Sequence, residues 1–222
     1  MELIALHRVS KQYSTTGGVV RALDNVTLTV NQGEFVAVIG RSGSGKSTLM
    51  NILGCLDVPG EGNYCLAGCD MSRCGESYRA RVRGQMIGFV FQGFHLLPSL
   101  TAQENVELPL LYRGLGKEER RRIALQSLQQ VGLSQRVTHL PCELSGGQQQ
   151  RVAIARAIAA SPSLILADEP TGNLDTASGR EVMSILHDLH HSGKTVVLIT
   201  HDPQIAAEAD RRICIQDGRV VE

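Results

Sequence analysis

The chain reads as short apolar runs separated by glycine-rich turns, with one long polar stretch in its middle. Leu3 to Lys11 and Ala22 to Val30 mix apolar and polar positions as half-buried strands do, and Thr15-Thr16-Gly17-Gly18 between them is turn-forming. Glu34 to Ile39 is a β-branched run ending in a glycine-rich loop, and Ser47 to Leu53 beyond the loop predicts a helix. Ile87 to Phe91, Leu164 to Ala167 and Thr195 to Ile199 are strand-length and nearly all apolar, the texture of a parallel sheet covered on both faces. Val182, Ile185, Leu186 and Leu189 stand at i, i+3, i+4 and i+7, which predicts an amphipathic helix. Asp217-Gly218, between Ile213-Cys214-Ile215 and Val220-Val221, predicts a tight hairpin.

From Ala102 to about Pro141 the texture is helical with long polar side chains. Glu118 and Arg122 stand i,i+4 within the charge run Lys117 to Arg122, which reads as a solvated helix face. The order is therefore α/β, a helical insertion, then α/β again. That predicts one domain over residues 1–222, with a core from 1–92 and 141–222 and a helical subdomain over about 93–140.

Composition narrows the partners. With 222 residues, 42% hydrophobic and 20% charged, the chain can bury a sizeable core. Lys plus Arg and Asp plus Glu both number 22, so the basic excess of a nucleic-acid binder is missing. Aromatic residues make up 4% and there is no Trp, which leaves little for base stacking. The opening Met-Glu-Leu-Ile-Ala-Leu-His-Arg lacks a secretory pattern, and no apolar run reaches bilayer-spanning length. The expectation is a cytosolic protein that reaches a membrane only through a partner. The cysteines at 55, 65, 69, 74, 142 and 214 fit neither a disulfide framework nor zinc-ligand spacing and are expected to be reduced.

Three stretches carry chemistry. Gly40-Arg41-Ser42-Gly43-Ser44-Gly45-Lys46-Ser47 fits G-x-x-x-x-G-K-[ST] between a predicted strand and a predicted helix. Its glycines let successive N–H groups turn toward phosphate oxygens, and the helix adds the positive end of its dipole. Lys46 is expected on the β- and γ-phosphates, Ser47 on Mg²⁺ and Thr48 on a further phosphate contact. The strand Leu164 to Ala167 delivers Asp168 and Glu169, the first to hold Mg²⁺ through water and the second to polarise the attacking water. Leu144-Ser145-Gly146-Gly147-Gln148 opens onto a strong helix pattern over Gln149 to Ala160 and forms a second backbone nest for an anion. One nucleotide loop has no use for two nests on one chain, which predicts a dimer whose nests cover each other's γ-phosphate.

Taken together, these residues resemble the ABC ATPases over essentially the whole chain. Leu144 to Gln148 matches the family signature ahead of Asp168-Glu169. The resemblance implies a P-loop α/β core with an N-terminal antiparallel β subdomain and an inserted α-helical subdomain. It implies that Tyr13 stacks on adenine with Val20 beside it, that Gln92 senses Mg²⁺ and the membrane partner, and that His201 contacts the γ-phosphate. It places a dimer-contacting loop at Gly172-Asn173-Leu174-Asp175. The ATP sites then pair Lys46, Ser47, Gln92, Asp168, Glu169 and His201 of one subunit with Ser145, Gly147 and Gln148 of the other.

Within the family, Asn51 to Asp57, Phe91 to Pro109, Ala167 to Asp175 and Thr200 to Gln204 are similar to the macrolide-exporter and lipoprotein-releasing group. That similarity implies an ATPase peripheral on the cytoplasmic face of the plasma membrane. It would drive a separate permease, with a periplasmic or extracellular adaptor as a further partner and no nucleic acid. Phe94, Leu96, Leu97, Pro98 and Leu100 stand as permease contact or as core of the helical lobe. A regulatory ABC complex that signals across the membrane without transport stays open. A soluble ABC ATPase of DNA repair or translation lacks its long insertion here, and a small-molecule kinase has no use for the signature.

Overall fold

Alternation and turn chemistry shape the first unit of the protein. The computed structural model describes residues 1–16 and 18–221. Gly17, part of the expected first turn, and Glu222 lie outside the described residues. In chain order the elements begin with β1 (Glu2–Thr15), β2 (Gly18–Asn31), β3 (Phe35–Ile39), α1 (Lys46–Leu53), β4 (Glu61–Leu66), β5 (Cys69–Asp70) and α2 (Glu76–Met86). They continue with β6 (Ile87–Phe91), α3 (Ala102–Tyr112), α4 (Lys117–Gln130), a 3₁₀ turn (Pro141–Glu143), α5 (Gly146–Ala159), β7 (Leu164–Asp168) and α6 (Thr176–His191). The chain closes with β8 (Thr195–Ile199), α7 (Pro203–Ala206), β9 (Arg211–Gln216) and β10 (Arg219–Val221). Two compact units result, Met1–Arg83 with Thr195–Glu222, and Gly84–Lys194.

In the first unit β2, β1, β4 and β5 form an antiparallel sheet in that order. β3 runs parallel to both β8 and β9, and β10 returns antiparallel on β9 through the expected Asp217-Gly218 turn. β1 and β2 run further toward their turn than the hydrophobic pattern predicts. The pairs Tyr13 with Val20 and Ser14 with Val19 near the turn are exposed, so no burial signal marks them although the backbone ladder continues to Thr15 and Gly18.

β4, β5 and α2 are additions to the predicted order. β4 is recognisable only by its packing: Tyr64 is buried and its hydroxyl donates to the Leu53 carbonyl, 2.7 Å, at the end of α1. Burial holds that phenol well above its ordinary pKa. α2 buries Val82 alone, so it has no apolar stripe to read. It is held instead by polar ties, Arg83 Nη1 to the Cys55 carbonyl and Arg79 Nη1 to the Cys74 carbonyl, both 2.6 Å.

In the second unit β6 and β7 pair in parallel, with Phe91 opposite Asp168. α5 is buried along most of its length and lies close on β6, because a Cβ at Gly88 would stand 2.6 Å from the Ala157 carbonyl oxygen. α3 packs on α4 and α5 and opens with a capping box in which Thr101 and Glu104 each accept from the other's backbone N–H. On α4, Arg122 turns to Gln126 (3.1 Å), so the i,i+4 tie runs forward along the helix from the expected Glu118 pair. The buried face of α6 is Gly179, Val182, Met183 and Leu186, with Ile185 and Leu189 at its half-buried edge. All six cysteines are free. Among the described residues no helix is long and apolar enough to cross a membrane.

Candidate functional site

The phosphate loop belongs to the first unit. Phe35 to Val38 are buried completely, and this strand carries the chain directly into Gly40. A Cβ at Gly40 would run into the Ile215 carbonyl oxygen, and one at Gly45, where φ is +107°, would run into that of Ala22. The loop therefore lies tight on β9 and β2, and only glycine fits. α1 follows the N-cap Gly45 with no side-chain cap and no acidic residue in its first turn, so no side-chain carboxylate of that turn neutralises the positive end of its dipole. Lys46 Nζ is held on the loop's own carbonyls, 2.7 Å from Gly40 O and 2.8 Å from Arg41 O.

Arg41, Ser42, Gly43 and Ser47 are exposed along the rim, and Thr48 lies half-buried behind them. Ser44 Oγ is buried and makes no hydrogen bond within the protein. A glycine cradle, an ammonium over it and an orphaned hydroxyl inside it fit a nucleoside triphosphate. One brace escaped the sequence reading. Gly218 of the terminal hairpin donates to the Ser44 carbonyl (2.9 Å) and accepts from Asp24 N (2.8 Å), so the β9–β10 turn steadies the loop from behind. Its sequence signal, Asp-Gly, announced a hairpin but not what the hairpin touches.

Tyr13 and Val20 face each other across β1 and β2 as an exposed apolar pair. The Tyr13 hydroxyl donates to Asp57 Oδ2 (2.8 Å), and Lys11 Nζ pairs with Asp57 Oδ1 (2.5 Å) while lying 5.3 Å from the tyrosine ring centre. Partial burial and then the Asp57 carboxylate push the Tyr13 phenol above its ordinary pKa, against a smaller pull from Thr48. Burial raises the Asp57 carboxyl, but Lys11, Tyr13 and the Val58 amide outweigh it, so its pKa is low. A depressed carboxyl stabilises the fold above its unfolded pKa and loses that contribution as pH falls through the folded one. In the sequence Asp57 stands out only as the end of the stretch Asn51 to Asp57 that is similar to the exporter group. His201 is exposed just past β8, between buried Thr200 and Asp202, which caps α7 by accepting from Gln204 N (2.8 Å).

The second unit brings Gln92, Asp168 and Glu169 together. Because Phe91 pairs with Asp168, the two strands end side by side and release Gln92 and Glu169 from adjacent positions. Glu169 has φ +45°, a left-handed conformation that costs a non-glycine residue about 1 kcal/mol or more. Gln92 is locked to Asn173 by reciprocal bonds, its Nε2 to Asn173 Oδ1 and Asn173 Nδ2 to its own carbonyl, both 3.1 Å. A Cβ at Gly172 would stand 2.8 Å from Gln92 Nε2, so that glycine makes room for the pair.

At the start of α5, Ser145 and Gln148 form a capping box. Ser145 Oγ accepts from Gln148 N (3.3 Å) and Gln148 Oε1 accepts from Ser145 N (3.0 Å). Gly147 is buried against α6, since a Cβ there would lie 2.6 Å from Ser178 Oγ. The glycine that the sequence assigns to an anion nest thus also permits close helix packing. Arg156, further along α5, donates to the carbonyls of His95 (2.6 Å) and Phe94 (2.9 Å) and fixes the segment after Gln92, where both residues have positive φ. Phe94, Leu96 and Leu100 are half-buried while Leu97 and Pro98 are exposed, so this stretch lies at the surface of its unit.

A glycine loop that tight, with a lysine folded over it on a buried parallel strand, has one kind of ligand, and the class it defines is the phosphate-loop nucleotide-binding proteins. Residues 23–172 match the family model described as ABC transporter, and the chain belongs to that family as an ATP-binding ATPase cassette. It is 51% identical over 219 residues, 99% of this chain and 96% of the relative, to the ABC transporter ATP-binding protein YvrO of Bacillus subtilis (strain 168). It is 52% identical over 219 residues, again 99% of the chain, to the macrolide export ATP-binding/permease protein MacB 2 of Yersinia pestis bv. Antiqua (strain Antiqua). The chain spans 32% of that relative's length. Among solved structures, the dimeric post-hydrolysis state of the ATP-binding cassette MJ0796 bound to ADP and Pi matches with TM-score 0.91 and 46% identity. That match covers 99% of this chain and 97% of the other. The α/β core, the antiparallel β sheet and the helical subdomain are those of an ABC cassette.

Proposed function

We propose that two copies of this chain close over two ATP molecules and drive a membrane permease of the exporter or lipoprotein-release kind. The observation that carries the reading is the register of β6 and β7: it sets Gln92 beside Glu169, and Asn173 binds Gln92 in turn. A residue in that position can couple a membrane partner to hydrolysis, because moving Gln92 moves the neighbourhood of the catalytic carboxylate. The dimer is supported by MJ0796, described as dimeric with ADP and Pi, and the export role by the macrolide export relatives.

In this reading the loop from Gly40 to Gly45 and Thr48 hold the phosphates, and Lys46 neutralises the β- and γ-phosphates. Glu169 orients the attacking water, and His201 contacts the γ-phosphate. Ser145, Gly147 and Gln148 of the second copy close over that phosphate through the amides of the helix start. Ser47, Gln92 and Asp168 would hold Mg²⁺, since hydroxyl, amide and carboxylate oxygens suit that hard cation. Bound there, it would supply charge neutralisation. Loss of the γ-phosphate removes the bridge between copies, and the pair reopens. The chain would work from the cytoplasmic face of the plasma membrane.

Tyr13 and Val20 would carry the adenine. Tyr13→Ala is expected to raise the KM for ATP about 10-fold with kcat nearly unchanged, since base stacking contributes about 1–3 kcal/mol. Tyr13→Phe keeps the ring and is expected to shift KM about 2-fold, by loosening its tie to Asp57. An unchanged KM in Tyr13→Ala would remove the ring from the nucleotide site.

The export reading is tested by affinity capture of Glu169→Gln with ATP from mild-detergent membranes, followed by mass spectrometry. Recovery of a permease with few membrane helices and a large outer domain supports it. Recovery of ribosomes or DNA, without a membrane protein, overturns it.

A further inference from the structure

Gln150 sits on α5 two residues after the signature and is wholly buried. Its Nε2 donates to two backbone carbonyls, Phe91 O at 3.2 Å and Pro170 O at 2.8 Å. The first carbonyl immediately precedes Gln92 and the second immediately follows Glu169. One side-chain amide therefore joins the ends of β6 and β7 at the two residues that do chemistry. Its Oε1 is buried and makes no hydrogen bond within the protein, so it is the donor group that holds Gln150 in place. Arg156, from the same helix, grips the next stretch at Phe94 and His95.

We propose that Gln150 is a positioning residue: it sets the separation of Gln92 and Glu169 and ties both to the start of α5. This rests on the assignment of Glu169 and Gln92 to hydrolysis made above. When the helix start engages a second copy, any shift of α5 is passed through this amide to both catalytic residues at once. The two carbonyls are the only receivers it needs, and an acceptor in its place cannot serve them.

The test uses the full chain and two variants, with ATP turnover, ATP KM and thermal unfolding measured on each. Gln150→Leu fills the space and removes the donor. It is expected to leave KM within about 3-fold while kcat falls about 10- to 100-fold, the signature of displaced catalytic groups. Gln150→Glu keeps the shape and can donate only when its carboxyl is protonated, a form that burial favours. Its kcat relative to the parent is expected to rise about 5-fold or more as pH falls from about 8.5 to about 6.5. The other ionisable groups near the two carbonyls are Asp168 and Glu169 beside Pro170, His95 against the Phe91 ring, and Arg156, and all are shared with the parent, which cancels them in the ratio. Parent-like kcat in folded Gln150→Leu, or a Gln150→Glu profile that tracks the parent at every pH, overturns the proposal. Should Gln150→Leu fail to fold, the pH profile decides alone. Glu169→Gln is run beside them: if it is inactive while both Gln150 variants are normal, only the role of Gln150 falls. If it also turns over normally, the assignment of Glu169 falls too.

Discussion

Glu169→Gln is expected to bind ATP as the parent does, to remain as a pair of chains in its presence, and to hydrolyse about 100- to 1,000-fold more slowly. The amide matches the carboxylate in size, and the left-handed backbone at φ +45° is as costly for one as for the other. Folding and nucleotide binding should therefore change little. What is lost is the negative charge that draws a proton from water, and with it about 3–4 kcal/mol of transition-state stabilisation. Size-exclusion chromatography with and without ATP, together with phosphate release, checks both halves of the expectation. Near-normal turnover would take the carboxylate out of the chemistry. Slow turnover without a lasting pair would separate hydrolysis from the closure assigned to two copies.

Lys46→Ala is expected to weaken ATP binding about 100-fold and to lower kcat/KM about 1,000-fold or more. In the protein alone the ammonium bridges the Gly40 and Arg41 carbonyls, which keeps it folded over the loop. Arg41 is exposed and Lys46 only half-buried, so water can replace those bonds and the melting temperature should move little. The phosphates have no such replacement within the cradle, because the donors left there are neutral amides and hydroxyls and Arg41, the loop's other cation, is exposed on its rim. Lys46→Arg is not expected to rescue binding, since a planar fork cannot take the place of a compact charge in a loop that already excludes a Cβ at Gly40 and Gly45. Calorimetry of ATP binding and a thermal melt measure the two effects separately. Parent-like affinity in Lys46→Ala would move the phosphate charge partner elsewhere.

Much of this protein could be read from its sequence because its key elements are locally encoded. The phosphate loop is one unbroken stretch in which Gly43 and Gly45 take positive φ, and the buried β3 and β8 reveal themselves as apolar runs. Asp168 and Glu169 at the end of β7, and the two glycines that follow the Ser145 cap at the start of α5, likewise lie on or next to the elements that present them. These local signals determined the nucleotide class, the α/β texture with its helical insertion, and the candidate residues of the site.

Other features exist only because distant segments meet. β4 and α2 carry little periodicity, and what holds them is a buried tyrosine hydroxyl on Leu53 and guanidinium bonds to the Cys55 and Cys74 carbonyls. Asp57 reaches Tyr13 and Lys11 across more than forty residues, and Gly218 comes back to the phosphate loop from the far end of the chain. Gln150 looks in sequence like one more polar position in a glutamine run, yet it is the one that burial turns inward. Hydrogen bonds to backbone carbonyls leave no mark on the sequence of the acceptor, because every residue has a carbonyl. The residue types of the candidate site were therefore set by the chain itself, while the alignment of Gln92 with Glu169 was decided by strand register, with one buried amide bound to the carbonyls beside both.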